Sequence, residues 1–222
     1  MWFKQFKMIK CLITQPNSDK VTSYLFHFGK EILKENYPIK IQFMNLEGDK
    51  ANKNNVESYL KKQDPKIVLF NGHGDDWTIC GYKDKDLIMM NENEDLLKEK
   101  IVYSLSCSSA AKLGQSAVLK GTKAFIGYSD SFMIYTDSER EATPLKDSIA
   151  ASFLKPSNKL SISLLNGKSA NESSEKSKEE FQKETKKYLT GRLFEGSERI
   201  AMALLWNMDN QVVLGNPDAT IE

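Results

Sequence analysis

Two apolar, strand-like runs in the middle of the chain each stop abruptly, with a reactive side chain just past the end. The first reads Lys66-Ile67-Val68-Leu69-Phe70-Asn71-Gly72-His73-Gly74, and the second reads Lys100-Ile101-Val102-Tyr103-Ser104-Leu105-Ser106-Cys107-Ser108. If both are parallel strands of one sheet, His73 and Cys107 emerge at the same carboxyl edge, where open α/β sheets place their ligands. A histidine beside a cysteine in such a crevice is the pattern of a thiol nucleophile with its acid/base partner.

The rest of the chain alternates in a way that suits this arrangement. Met8 to Thr14 reads as a mostly buried strand ending at the turn Gln15-Pro16-Asn17-Ser18, which can also cap a helix. Val21, Leu25, Phe28 and Ile32 then recur at helical spacing on one face, and that helix stops before Pro38. Ile39, Ile41 and Phe43 alternate with Lys40 and Gln42, as in a strand near a sheet margin. A polar turn leads to a short helix carrying Val56 and Leu60, and Pro65 precedes the first key strand. The polar segment from Asp75 to Lys98 is expected to be functional or to hold small elements of its own.

After Cys107, the run Ser109 to Lys120 reads as a helix closed by Gly121, and Ala124 to Tyr128 as a fifth strand. A helix with Pro144 in its first turn follows, with Leu145, Ile149 and Phe153 on one face. Asn166 to Gly191, with Ser169, Ser173, Ser174 and Ser177 among Lys and Glu, reads as a solvated helix of mixed charge, or alternatively a linker. An amphipathic helix from Ser197 to Met208 and a short strand, Gln211 to Leu214, complete the pattern. The expectation is a single domain over residues 1–222, a three-layer α/β/α sandwich with a mostly parallel central sheet and helices on both faces.

Composition narrows the function classes. With 222 residues the chain can bury a substantial core. Lys+Arg 31 against Asp+Glu 30 leaves a net charge of +1, so no broad basic field draws nucleic acid or anionic lipid. The lysine-broken start, Met1 to Lys7, and the run after it are too short and too charged for a secretory signal or a membrane span. Three cysteines, Cys11, Cys80 and Cys107, without C-x-x-C spacing argue against a disulfide framework and a zinc knuckle. A cytoplasmic location fits best.

Strand-His-Gly followed by strand-Ser-Cys, with His73 and Cys107 34 positions apart, resembles the caspase-like cysteine peptidases. With the closing Leu214-Gly215-Asn216-Pro217 it looks most like the gingipain-type and CHAT-type branches. The resemblance implies Cys107 as nucleophile, His73 as general acid/base, and the backbone N–H groups of Gly74 and Cys107 as the oxyanion hole. It implies cysteine endopeptidase activity on a protein or peptide substrate, through a thioester, with no metal or organic cofactor. Members of the family are often kept latent by neighbouring domains, partners or cleavage, which implies a regulatory protein partner here.

The residues supply their own reasons for these roles. Acyl transfer needs an accessible thiolate and an imidazole that can protonate the departing amine, and glycine at position 74 brings an amide close to a substrate carbonyl. Asp75 and Asp76 depart from the pattern: turned inward, they would oppose a thiolate. Family members differ in side-chain preference. Asp130, just beyond the fifth strand at the same sheet edge, with Asp137 and Glu139 in the following loop, suggests a basic residue on the acyl side of the cut bond.

Other chemistries fit less well. Two histidines are too few for a binuclear metal site, Gly127-Tyr128-Ser129-Asp130-Ser131 lacks the second glycine of a serine-hydrolase elbow, and no Gly-rich phosphate loop follows a strand. The reading from another class is a non-catalytic caspase-like module that binds proteins.

Overall fold

The computed structural model describes residues 8–191 and 196–221. The reading of Met1 to Lys7 as a non-signal segment lies outside the described residues. In chain order the first elements are β1 (Ile9–Gln15), α1 (Lys20–Ile32), β2 (Ile41–Glu47), α2 (Lys53–Gln63) and β3 (Ile67–Asn71). Then come β4 (Thr78–Cys80), β5 (Asp86–Met89), β6 (Ile101–Leu105), α3 (Leu113–Leu119) and β7 (Ala124–Tyr128). The chain continues with α4 (Ser148–Leu165), α5 (Ala170–Thr190), α6 (Ser197–Asn210) and β8 (Gln211–Gly215).

Six strands form the central sheet in the order β2-β1-β3-β6-β7-β8. All neighbours are parallel except β7 and β8, which pair antiparallel at one edge. The unbroken apolar run Ile67-Val68-Leu69-Phe70 of β3 follows from coverage on both faces. Ile67 and Leu69 join a core with Leu25 and Phe28 of α1 and Leu154 of α4, whereas Val68 and Phe70 meet Val56 of α2 and Leu113 of α3. Each such side chain contributes about 1.5–3 kcal/mol relative to exposure. The architecture is therefore the expected three-layer α/β/α arrangement with a mostly parallel sheet, and β2 lies at its margin.

Local chemistry sets where the first helix begins. Asp19 caps α1: its Oδ1 accepts the Thr22 N–H at 3.0 Å, and the Thr22 hydroxyl accepts the Asp19 N–H at 3.1 Å. This reciprocal pair fixes the start of α1 one residue past the turn at the carboxyl end of β1. The segment between Asp75 and Lys98 does carry small elements, the antiparallel pair β4 and β5 and short 3-10 turns.

Three expectations need correction. Pro144 does not open the long helix: it starts a separate 3-10 turn, Pro144–Lys146, and Asp147 caps α4 by accepting the Ile149 and Ala150 N–H groups, both at 2.9 Å. Leu145 is consequently exposed rather than on the buried face of α4. The helix after Cys107 starts at Leu113 rather than Ser109, because turns occupy residues 108–112.

The third correction concerns α5, which is a helix but not one solvated all round. Ser173, Ser174 and Ser177 are buried, where small hydroxyls admit α5 close to β8. Gln211 donates to the Ser174 hydroxyl at 2.8 Å and accepts from Ser177 at 2.9 Å, so the buried amide is partnered.

Candidate active site

The pairing of β3 with β6 sets the geometry of the site. Ile67 faces Ile101 and Asn71 faces Leu105, an offset of 34 positions that is also the separation of His73 and Cys107. Both residues lie two positions past the last registered pair, so the same offset relates His73 to Cys107. Adjacent strands run about 4.8 Å apart, and the Gly72 N–H bonds the Leu105 carbonyl at 3.3 Å, so the two chains are still joined at this edge. Both residues share the strand parity of the face covered by α1 and α4. They line one cavity of about 30 Å³, walled by Val21 and Leu25 of α1, Leu105 of β6, and Phe132 and Ile134 from the extended strap after β7.

The backbone around each residue is held from outside. Beyond β3, the His73 carbonyl accepts the Cys80 N–H at 2.9 Å and the Asp75 N–H donates to the Thr78 carbonyl at 3.0 Å. This pattern ties the turn to β4 and leaves the Gly74 amide pointing out of that ladder. Among the described residues, neither the Gly74 N–H nor the Cys107 N–H has an acceptor.

Glycine is required at both positions flanking His73. A Cβ on Gly72 would overlap the Cys80 carbonyl oxygen, and one on Gly74 would sit 2.8 Å from the Thr78 oxygen and 3.0 Å from the Ser106 Cβ. Immediately after Cys107, Ser108 adopts a left-handed φ of 51°, uncommon for a residue with a side chain. Its N–H is secured to the Asp130 carbonyl at 3.0 Å, so the strap after β7 holds the turn that carries Cys107.

A carboxylate that the sequence reading did not single out completes the cluster. Asp19 Oδ1 lies 3.4 Å from His73 Nε2, and Asp84 Oδ1 lies 3.9 Å from the same nitrogen. Partial burial works to raise the Asp19 pKa, but hydrogen bonds from the Thr22 amide and hydroxyl, together with His73, outweigh it and hold the carboxyl below its ordinary value. Asp84 is brought in by two successive left-handed residues, Lys83 and Asp84, with the Lys83 N–H anchored to the Ser18 hydroxyl at 2.9 Å. The signal that could have found Asp19 is its position: a capping residue at the carboxyl end of β1 sits on the same sheet edge as His73. The donor atoms of Asp19, His73 and Asp84 all lie within 4.8 Å of one another, and these are the residues here that could hold a cation.

The remaining candidates resolve differently. Asp75 and Asp76 do not face the sulfur unpartnered: Asp75 Oδ1 accepts the Trp77 N–H at 2.8 Å, and Asp76 pairs with Lys112 at 2.9 Å. Asp130 stands at the rim and is exposed, its Oδ1 taking the Ser131 N–H at 2.6 Å, and it does not line the cavity. Asp137 similarly turns onto the Glu139 N–H at 2.9 Å.

The other two thiols sit in environments that suppress thiolate. Burial pushes the Cys11 thiol well up. Burial, aided by Asp86, Asp75 and Asp84, pushes Cys80 up to about 11. Cys107 is partly exposed, its Sγ 4.0 Å from the Phe132 carbonyl oxygen. No protein-family model matches the chain, and no curated protein is significantly similar to it. Among the described residues, no helix is long and apolar enough to cross a membrane.

Proposed function

We propose that this chain is a cysteine endopeptidase of the caspase-like kind, with Cys107 as nucleophile and His73 as general acid/base. The observation that supports the reading is that His73 and Cys107, each two residues past the paired ends of β3 and β6, line one cavity at the carboxyl edge of the sheet. Asp19 beside Nε2 favours the tautomer that bears hydrogen there and leaves Nδ1 for the sulfur. A peptide would lie across the sheet edge, its scissile carbonyl over Cys107.

The thiolate adds to the carbonyl carbon, and the oxygen takes up the negative charge opposite the unengaged N–H groups of Gly74 and Cys107. His73 then passes its proton to the departing amine, the C–N bond breaks, and a thioester remains. Water, giving its proton to His73, cleaves the thioester and restores the thiol. Unpaired Cys11, Cys80 and Cys107 suit a reducing compartment, and we read the location as cytoplasmic. Control by a partner protein belongs to the same reading.

The test is labelling with a thiol-reactive probe between pH 6 and 9, followed by mass spectrometry. Wild type is expected to label at Cys107 well ahead of Cys80 and Cys11, and a His73→Ala variant to lose that preference. Equal, sluggish labelling of all three thiols would instead favour a non-catalytic binding module. Digestion of a peptide library by wild type and not by Cys107→Ala would identify the hydrolase directly.

A further inference from the structure

We infer that the cavity beside Cys107 selects a small aliphatic side chain on the acyl side of the cut bond, rather than the basic residue that Asp130 suggested. The inference rests on the peptidase reading and specifies its substrate class. Apart from His73, Ser106 and Cys107, the lining is Gly72 and five apolar side chains, and no charged residue contributes. The Ser106 hydroxyl is already bonded to that of Ser104 at 2.6 Å.

No nearby carboxylate lines the space: Asp19 is engaged by Thr22 and His73, Asp84 lies at the exposed outer side of the imidazole, 3.9 Å from Nε2, and Asp130 takes the Ser131 N–H. A lysine or arginine head group entering here would lose water without gaining a partner, which strongly disfavours it. A buried aspartate would fare no better, since no lysine or arginine lines the space.

Size points the same way. A cavity needs about 10–15 Å³ by this measure to hold one water, so about 30 Å³ admits a side chain of one to three carbons without rearrangement. The walls are braced against widening. Phe132 packs edge-on against the fully buried Tyr128 at 4.9 Å between ring centroids. Between Phe132 and Ile134, Met133 is clamped by the buried Asn207, which accepts its N–H at 2.8 Å and donates to its carbonyl at 2.7 Å.

The experiment uses two sets of probes that differ only in the residue meeting Cys107: Ala, Val, Lys, Arg or Asp. One set carries a fluorogenic amide leaving group, and the other an electrophilic ketone that alkylates the thiol and is read by intact mass. Both are run on wild type, Cys107→Ala and Val21→Asp. Val21 lies in the first turn of α1, where an aspartate is compatible with the helix.

Wild type is expected to favour Ala and Val over Lys, Arg and Asp by at least about thirtyfold in kcat/KM and in alkylation rate. Val21→Asp should raise the Lys and Arg rates relative to Ala by about tenfold or more. Cys107-dependent turnover that favours Lys, Arg or Asp in wild type would overturn the inference and leave the peptidase reading standing. Absence of any Cys107-dependent turnover or alkylation, across every probe, would overturn both.

Discussion

His73 and Cys107 line one cavity, each two residues past the paired ends of β3 and β6, where Asn71 faces Leu105 at an offset of 34 residues. Nothing local brings them together. The arrangement depends on two parallel strands ending level, and on the Gly72 N–H bonding the Leu105 carbonyl just beyond.

Gly74 leaves no room for a side chain, since a Cβ would meet the Thr78 oxygen at 2.8 Å and the Ser106 Cβ at 3.0 Å. Gly74→Ala should therefore push the turn away from β6 and displace its unengaged amide. The expected result is a folded protein by circular dichroism, destabilised by about 1–3 kcal/mol. Its kcat/KM for peptides should fall at least about a hundredfold. Unaltered turnover would show that the amide takes no part.

Asp19 can be tested without losing its cap, because asparagine caps helices equally well. Asp19→Asn should change unfolding free energy by less than about 1 kcal/mol, since the bonds to Thr22 persist in kind. With the negative charge beside Nε2 gone, kcat should drop about tenfold or more while KM changes little. Equal changes in kcat and stability would mark the residue as a cap and nothing more.

Asn207 holds the strap through two hydrogen bonds to the Met133 backbone. Asn207→Leu leaves that N–H and carbonyl without partners, costing about 2–3 kcal/mol of stability. Hydrogen exchange over residues 132–136 should accelerate, and tolerance for bulkier side chains beside Cys107 should rise. Protection unchanged at these amides would rule out the clamp.

Glu94 governs acid sensitivity away from the site. It is fully buried, and although burial opposes ionisation, Lys120 at 2.8 Å, the Asn91 N–H and the Ser116 hydroxyl pull its pKa down from 4.5 to about 2. A folded pKa below the unfolded one gives stability that is complete above about pH 4.5 and is lost as pH falls toward 2. About 3 kcal/mol is at stake by this linkage. Urea midpoints measured from pH 6 to pH 3 should decline more steeply for wild type than for Glu94→Gln; parallel curves would remove Glu94 as the cause.

By itself the sequence determined the strands and helices that a periodic burial pattern can encode. Uninterrupted apolar runs at Ile67 to Phe70 and Ile101 to Tyr103, and the four- and three-residue spacing from Val21 to Ile32, report coverage on two faces and on one. Those patterns, with the rule that open sheets bind at their carboxyl edge, were enough to predict that His73 and Cys107 emerge together.

Tertiary structure alone decided what surrounds them. Asp19 lies 54 positions before His73 and reaches it because β1 pairs in parallel with β3, which brings the turn after β1 to the same sheet edge. Phe132 and Ile134 sit in a strap without regular periodicity, fixed by Asn207 from another helix, and Ser174 and Ser177 are buried because Gln211 arrives opposite them. Periodicity records how each residue is buried along its own element. Which distant group becomes its neighbour is set by strand register and by hydrogen bonds between elements, and these are properties of the assembled fold.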